Sequence, residues 1–304
     1  MERNRKRILW AVIVVLTICV FFAAGHFGQP RRSEPVYHGR TLTRWLKQLD
    51  DGQVFGISSY KLPSPTPAQA EAARAIRAIG AEALPRLMED LHARPAEDAP
   101  RIRLHRWSNS HLSSAFRGWF WPLDITEEDR RRWRAAQGLA ALGPLAKPAL
   151  PELTRLFHTN FWHSSIKESA YALAALGPEG VEILTNSIQQ QSDWFTMCAI
   201  WALGQHPAAG TNCIPVLLEA TTSSDEGTAC GAIEVLGLFH LDAEQVIPAL
   251  TNALANNNAA VSRDAAQALG RFGRQAASAV PLLQSMTNNP TLRNTALRAL
   301  KQIH

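Results

Sequence analysis

The apolar positions of this chain fall into two patterns. At the front, Ile8 to Ala24 runs for seventeen residues without a charge, after the basic stretch Met1-Glu2-Arg3-Asn4-Arg5-Lys6-Arg7. Such a run reaches the ~17–25 residues a helix needs to cross the ~30 Å hydrocarbon core, where it satisfies its own backbone hydrogen bonds. From about residue 68 the pattern changes to short amphipathic helices. An Ala/Leu-rich helix ends at a glycine, a short loop follows, and a second helix opens near a proline.

The first-helix endings are Ala75-Ile76-Arg77-Ala78-Ile79-Gly80, Gly138-Leu139-Ala140-Ala141-Leu142-Gly143, Ala172-Leu173-Ala174-Ala175-Leu176-Gly177, Ile200-Trp201-Ala202-Leu203-Gly204, Ile233-Glu234-Val235-Leu236-Gly237 and Ala268-Leu269-Gly270-Arg271-Phe272-Gly273. Second helices open at Leu84-Pro85, Leu150-Pro151, Ile214-Pro215, Ile247-Pro248 and Val280-Pro281, with Val181-Glu182-Ile183-Leu184 as the one without a proline. Glycine past a helix end takes the left-handed conformation that closes the last turn. Proline in a first turn loses no intrahelical hydrogen bond. Small Ala at i, i+3 and i+4 lets neighbouring helices approach, and Leu, Ile and Val fill the space between layers. One such pair cannot bury its apolar faces alone, so the recurrence predicts stacked units, an all-α, right-handed α-solenoid of about six helix pairs with an N-terminal transmembrane helix.

The pattern Ala-x-x-Ala-Leu-x-x-Leu-Gly, a short loop, then Ala-Val/Leu-Pro-x-Leu is similar to that of the HEAT repeats, including the shorter bacterial kind labelled phycobilisome-lyase-like. Its clearest copy runs from Asp264-Ala265-Ala266-Gln267-Ala268-Leu269-Gly270-Arg271-Phe272-Gly273 to Val280-Pro281-Leu282-Leu283. The resemblance covers about 68–304 and closes with a half-unit at Asn294–Ile303. The lead-in Glu34-Pro35-Val36-Tyr37-His38-Gly39-Arg40-Thr41-Leu42-Thr43-Arg44-Trp45-Leu46 looks like the segment that precedes the array in membrane-anchored bacterial HEAT proteins. The resemblance implies the fold and is nearly silent on function, because unrelated activities share the scaffold.

These patterns divide the chain into a basic cytosolic tail (1–7), a transmembrane signal anchor (8–24), a linker (25–40), a capping helix and loop (41–67) and the solenoid (68–304). A signal peptide cut near Ala23-Ala24-Gly25 is the competing reading of the front; the apolar run exceeds the usual ~7–15-residue h-region. Arg3, Arg5, Lys6 and Arg7 abut the run, whereas Arg31, Arg32, Arg40 and Arg44 lie farther off. This proximity predicts a single-pass protein with a cytosolic N-terminus and an extracytoplasmic solenoid. Thr41–Leu49 reads as a short helix with Trp45, Leu46 and Leu49 on one face.

Charge refines the picture. The 304 residues hold 31 Lys+Arg and 26 Asp+Glu. Nine basic and twelve acidic residues lie in 135–304, about −3, which leaves 22 basic and 14 acidic in 1–134, about +8. Nucleic-acid binding needs a continuous basic groove, so the acidic array argues against it and leaves it an alternative. The four cysteines are no disulfide framework: Cys198, Cys213 and Cys230 sit in apolar helical patterns, as small buried hydrophobes do.

A long insertion, 93–125, separates the first unit from the second. It carries Arg101, Arg103, Arg106 and Arg117 among Trp107, Phe116, Trp119, Phe120 and Trp121. Thr126-Glu127-Glu128-Asp129 then resembles a capping box ahead of Arg130-Arg131-Arg132-Trp133-Arg134. Loops longer than ~12–15 residues in a compact array are unusual and often functional, and Trp with Arg is the pairing enriched at binding hot spots. The candidate partner-binding residues are therefore Arg101, Arg103, Arg106, Trp107, Arg117, Trp119 and Trp121; the competing reading folds the rings onto the solenoid edge as a local core.

Catalytic signatures are missing from the sequence: no HExxH, CxxC, GxxxxGKS/T or GxSxG motif occurs. His158 and His163 are five apart and share no helical face, and His38, His105, His111, His206 and His240 read as isolated surface or capping residues. The expectation is a membrane-tethered HEAT-repeat scaffold for protein–protein interaction, without catalytic residues, cofactor or metal. The resemblance leaves a phycobilisome-lyase-like, cofactor-handling enzyme as a further alternative.

Overall fold

The computed structural model describes residues 34–50, 65–93, 127–158, 165–190 and 193–304. The chain divides into two units, 1–35 and 36–304, and the architecture below belongs to the second. Two strands of two residues, β1 (Val36–Tyr37) and β2 (Arg40–Thr41), pair antiparallel with Val36 opposite Thr41 and Tyr37 opposite Arg40. They are the departure from the expected all-α content. A helix α1 (Leu42–Leu49) follows, capped by Thr41, whose Oγ1 accepts from the Arg44 amide at 3.4 Å.

Among the described residues six helix pairs succeed one another: α2 (Pro67–Ile79) with α3 (Leu84–Leu91), α4 (Glu127–Leu142) with α5 (Leu150–Phe157), α6 (Ser165–Ala175) with α7 (Pro178–Gln189), α8 (Asp193–Gln205) with α9 (Gly210–Ala220), α10 (Glu226–Phe239) with α11 (Ala243–Leu254), and α12 (Ala259–Phe272) with α13 (Val280–Met286). A single helix α14 (Arg293–Ile303) ends the series. Helix α2 starts on a capping box the sequence reading had passed over: the Thr66 side chain accepts from the Gln69 amide while the Gln69 side chain accepts from the Thr66 amide.

The first helices of successive pairs pack directly on one another, α4 on α6, α6 on α8, α8 on α10, α10 on α12 and α12 on α14. Each second helix leans on the first helix of the next pair, so α3 meets α4, α5 meets α6, and so on to α13 and α14. The same leucine of every second helix plugs this joint: Leu87, Leu153, Leu184, Leu217, Leu250 and Leu283 are all 0% exposed. Burying one such side chain contributes ~1.5–3 kcal/mol. No pair holds this apolar area by itself. At the front, α1 packs on α2 and α4, with Leu42, Trp45 and Leu46 buried.

Glycine has two jobs here, not the single one the repeat suggested. Gly80, Gly143, Gly177 and Gly273 do end their helices at positive φ, where a side chain would be strained. Gly204 and Gly237 lie inside α8 and α10, which run on to Gln205 and Phe239. A Cβ on Gly237 would stand 2.7 Å from the Ala268 Cβ and 2.9 Å from its Cα, so this glycine is what lets α10 approach α12. The left-handed position after α10 falls to His240 at φ 52°, and its Nε2 lies 2.8 Å from the Arg271 carbonyl oxygen of the next unit.

The prolines also divide. Pro85, Pro151 and Pro281 sit in first turns as read, whereas Pro215 and Pro248 lie inside α9 and α11. A 3₁₀ segment, Gly143–Ala149 and Gly273–Ala279, leads into α5 and α13, whereas α9 and α11 already begin at Gly210 and Ala243, ahead of their prolines. The pair thought to lack a proline opens on Pro178.

The single-pass membrane placement is corrected. Among the described residues no helix is long and apolar enough to cross a membrane. The longest, α4 at 16 residues, opens on three acidic and three Arg residues, short of the ~20 apolar positions a span requires. The expected transmembrane anchor, 8–24, lies outside the described residues, and so do the basic tail and the start of the linker.

Gly237→Ala should destabilise the array by about 1–3 kcal/mol, because the backbone of Ala268 cannot rotate out of the way and overpacking outweighs the gain in helix propensity. Thermal melts of the two proteins check this; an unchanged or higher Tm would mean that the two helices can slide apart at no cost.

Candidate functional site

All seven residues singled out from the sequence, Arg101, Arg103, Arg106, Trp107, Arg117, Trp119 and Trp121, lie outside the described residues. What the structure describes is the pair of helix ends from which that insertion departs and to which it returns, the C-terminus of α3 and the N-terminus of α4. These ends are tied together by charge. Asp90, 5% exposed on α3, accepts from Arg131 Nη2 at 2.5 Å and pairs with Arg86 at 3.3 Å. Arg134 donates to Asp50 at 2.7 Å and to Glu127 at 2.8 Å. Arg132 donates to the Ala93 carbonyl at 2.5 Å and pairs with Asp129. The Arg130–Arg134 run is thus no free basic patch: three of its four guanidiniums hold the base of the insertion in place.

Inside the same run of α4 a second cluster begins that the sequence reading did not single out. Trp133 of α4, Tyr171 of α6 and Trp201 of α8 stack across three successive first helices, with ring centroids 4.9 Å apart for the first two and 5.9 Å for the last two. Each ring is less than a tenth exposed. The His206 ring adds to the row 4.6 Å from Tyr171. Aromatic pairs at such spacing contribute about 0.5–1.5 kcal/mol beyond the area they bury. Lys167 places its ammonium 4.4 Å from the centre of the Trp201 ring. Beside it Glu168 is 0% exposed, with Oε1 4.0 Å from the Arg132 Nε, and no side chain among the described residues hydrogen-bonds either carboxylate oxygen.

Burial decides the protonation of these groups. It pushes the Glu168 carboxyl up to about 7, against the opposing pull of Arg132. It pushes the His206 imidazole down to about 4, so the ring is neutral at neutral pH. The Lys167 amine is also lowered by burial, with the Glu168 charge opposing. The neighbouring Cys198 thiol goes up to about 12, which removes it as a thiolate nucleophile. At neutral pH the layer therefore holds a neutral His206 ring and a Glu168 carboxyl near the middle of its titration. Among the described residues no group of three or more His, Cys, Asp and Glu could hold a metal ion.

The signal for this cluster was present in the sequence as Lys167-Glu168 and three large rings inside helices otherwise built of Ala and Leu. Reading it required knowing that the first helices are buried on nearly every side, which their mutual stacking determines.

Stacked helix pairs around one continuous apolar seam define the class: the protein is an α-solenoid. A family model described as HEAT repeats matches residues 214–301, so this part of the chain is similar to HEAT repeats. No curated protein matches it. Among solved structures, human deoxyhypusine hydroxylase in complex with glycerol is similar at 18% identity and a TM-score of 0.36, covering 86% of this chain and 95% of that one. The karyopherin Kap121p bound to the extreme C-terminus of the protein phosphatase Cdc14p is similar at 14% identity and a TM-score of 0.49, covering 86% of this chain and 29% of that one. An engineered protein gives 19% identity and a TM-score of 0.39, covering 88% and 68%. At these identities and scores neither activity nor cargo passes from those proteins to this chain.

Glu168 and His206 make opposite contributions to stability against pH. Glu168, raised from 4.5 to about 7, contributes fully below pH ~4.5 and loses that contribution as pH rises through ~7. His206, lowered from 6.5 to about 4, contributes fully above pH ~6.5 and loses it as pH falls toward ~4. The two cancel between these limits. Glu168→Gln keeps a neutral group in place, so at pH 8 the variant should be more stable than the wild type by roughly 1–3 kcal/mol, with a smaller gain at pH 6. Melts at both pH values check the sign; an equal loss at pH 6 and pH 8 would show that the Arg132 pairing, not burial of charge, governs the site.

Proposed function

We propose that the protein is a scaffold whose second helices recognise a protein partner. The observation that carries this reading is a row of side chains in one register. Two positions after the buried leucine of each second helix stand Glu89, Arg155, Asn186, Glu219, Asn252 and Ser285, every one of them exposed. The leucine position is the same residue six times because the joint between units demands it; the exposed position changes from unit to unit because packing makes no use of it. A solenoid repeats such a position once per unit and so presents an extended surface for recognition. Neighbouring hydroxyls do not compete for a partner: Thr154, Thr185 and Thr251 donate to carbonyls of their own helices at 2.8, 3.0 and 2.8 Å. The amide groups of Asn186 and Asn252 suit the polar backbone of a polypeptide, and the alternation of Glu, Arg and Glu sets a charge pattern along it.

The Trp/Arg-rich insertion is the second part of this proposal, on its composition alone: Trp119 and Trp121 with Arg101, Arg103, Arg106, Trp107 and Arg117 would supply the anchoring contacts. In the chain it follows α3, the helix that carries Glu89.

A photo-crosslinking residue placed at Asn186 or at Asn252, in the cell that makes the protein, should trap the same partner at both sites and nothing at Arg274, an exposed control on the turn before α13. The same products from all three positions would remove the proposed face. The double substitution of Trp119 and Trp121 by Ala should weaken capture of that partner at least tenfold while leaving the melt unchanged. A collapsed melt would show those rings to be core.

A further inference from the structure

The hairpin at the front of the solenoid is too small to exist for its own sake. Two residue pairs do not hold a free hairpin together in water. Its two-residue turn, His38-Gly39, places both residues at positive φ, 49° and 70°, the mirror-image turn that suits the twist of short antiparallel strands. Histidine accepts this conformation more readily than most residues, at a cost in strain. The rest of the fold therefore holds the turn in place. The Trp45 indole Nε1 donates to the Tyr37 carbonyl at 3.2 Å. Arg40 lays its guanidinium over the Trp45 ring at 4.8 Å and donates from Nη1 to Gln48 Oε1 at 3.0 Å. Gln48 in turn donates to the Ala68 carbonyl at 2.9 Å and to Glu71 at 3.1 Å, which ties α1 to α2.

Between the hairpin, α1 and α2 lies a half-open hollow of about 370 Å³, lined by Tyr37, His38, Arg40, Trp45, Glu71 and Arg74. Arg40 is fixed before any ligand arrives, by the ring beneath it and by Gln48. Arg74 faces the hollow from α2 as an exposed side chain that makes no hydrogen bond or ion pair within the described residues. The His38 ring is exposed, held edge-on against Tyr37 at 4.2 Å between centroids. The one carboxylate of the lining, Glu71, is engaged by Gln48. Two guanidiniums and an imidazole thus converge with a single, partly occupied acid among them, and a planar guanidinium presents a fork of donors to an oxyanion.

We propose that this hollow is a binding site for a small oxyanion, a carboxylate or phosphate group held between Arg40 and Arg74, with His38 at its rim and Tyr37 and Trp45 as its walls. The strained turn then has a use: it delivers His38 and Arg40 from opposite ends of a two-residue loop to one opening. This site is independent of the second-helix row and of the insertion.

The test is isothermal titration of the full chain with inorganic phosphate and, separately, with succinate, at low ionic strength. Saturable binding of either probe is expected, and the stronger of the two identifies the group the site takes. Arg74→Ala removes an exposed side chain with no partner among the described residues, so the variant should keep the wild-type melt and bind at least tenfold more weakly. Arg274→Ala, which removes an equally exposed arginine elsewhere, should bind as the wild type does. Saturable binding lost to the same degree in both variants would reduce the effect to net charge, and the absence of saturable binding for both anions would overturn the site.

Discussion

Close approach of the first helices is the constraint on which everything else in this protein rests. The distance between α10 and α12 is set by Gly237 against the backbone of Ala268, and that between α12 and α14 by Gly270, whose missing Cβ would stand 3.1 Å from the Ala299 Cα. Small residues at these crossings bring backbones together, which leaves the space beside them for the larger side chains of the second helices. Leu217, Leu250 and Leu283 fill that space completely. A bulkier residue at the crossing would part the layers and open voids along the seam, and protein interiors tolerate such voids poorly. The solenoid is thus held by contacts that no single unit can make.

Such a seam offers little room for polar groups, which makes the cluster around Glu168 notable. A carboxyl with no exposure, an ammonium against an indole face and a neutral imidazole occupy a layer built mostly of apolar side chains. Burying such groups is costly unless they are paired or neutralised, and this cluster does both, by the proximity of Arg132 and by a carboxyl shifted toward its neutral form. The cluster lies within the three units that follow the insertion.

The two faces of the array divide the labour. The first helices from α4 to α10 supply cohesion and are nearly enclosed; second helices keep one side in water and vary there. A surface built in this way can change its exposed residues with little effect on the joint, since the leucine and the residue two positions later point in different directions. The same logic explains why the hollow at the front sits outside the repeat proper. Its hairpin breaks the pattern, and a break in a regular array is where geometry other than helix-on-helix becomes possible.

The sequence by itself determined the helix pairs, because a 3.6-residue period with a recurring Leu-Pro opening and a glycine stop is a local property of the chain. The leucine three positions after the first residue of each opening, Leu87, Leu153, Leu184, Leu217, Leu250 and Leu283, belongs to that local pattern, and the structure buries it. It misjudged Gly204 and Gly237 as helix stops, since a glycine that ends a helix and a glycine that lets another helix come close look identical along the chain. Only the tertiary structure separated them, through the position of Ala268. Trp133, Tyr171 and Trp201 lie as much as 68 residues apart and become one row only when the first helices stack. His206, read as a surface residue, joins that row for the same reason. The hairpin went unread because two-residue strands carry no periodicity, and the hollow beside it exists only through the meeting of three elements. Local pattern settles what each segment is; which segments touch is a matter of packing, and the candidate sites of this protein are made entirely of such contacts.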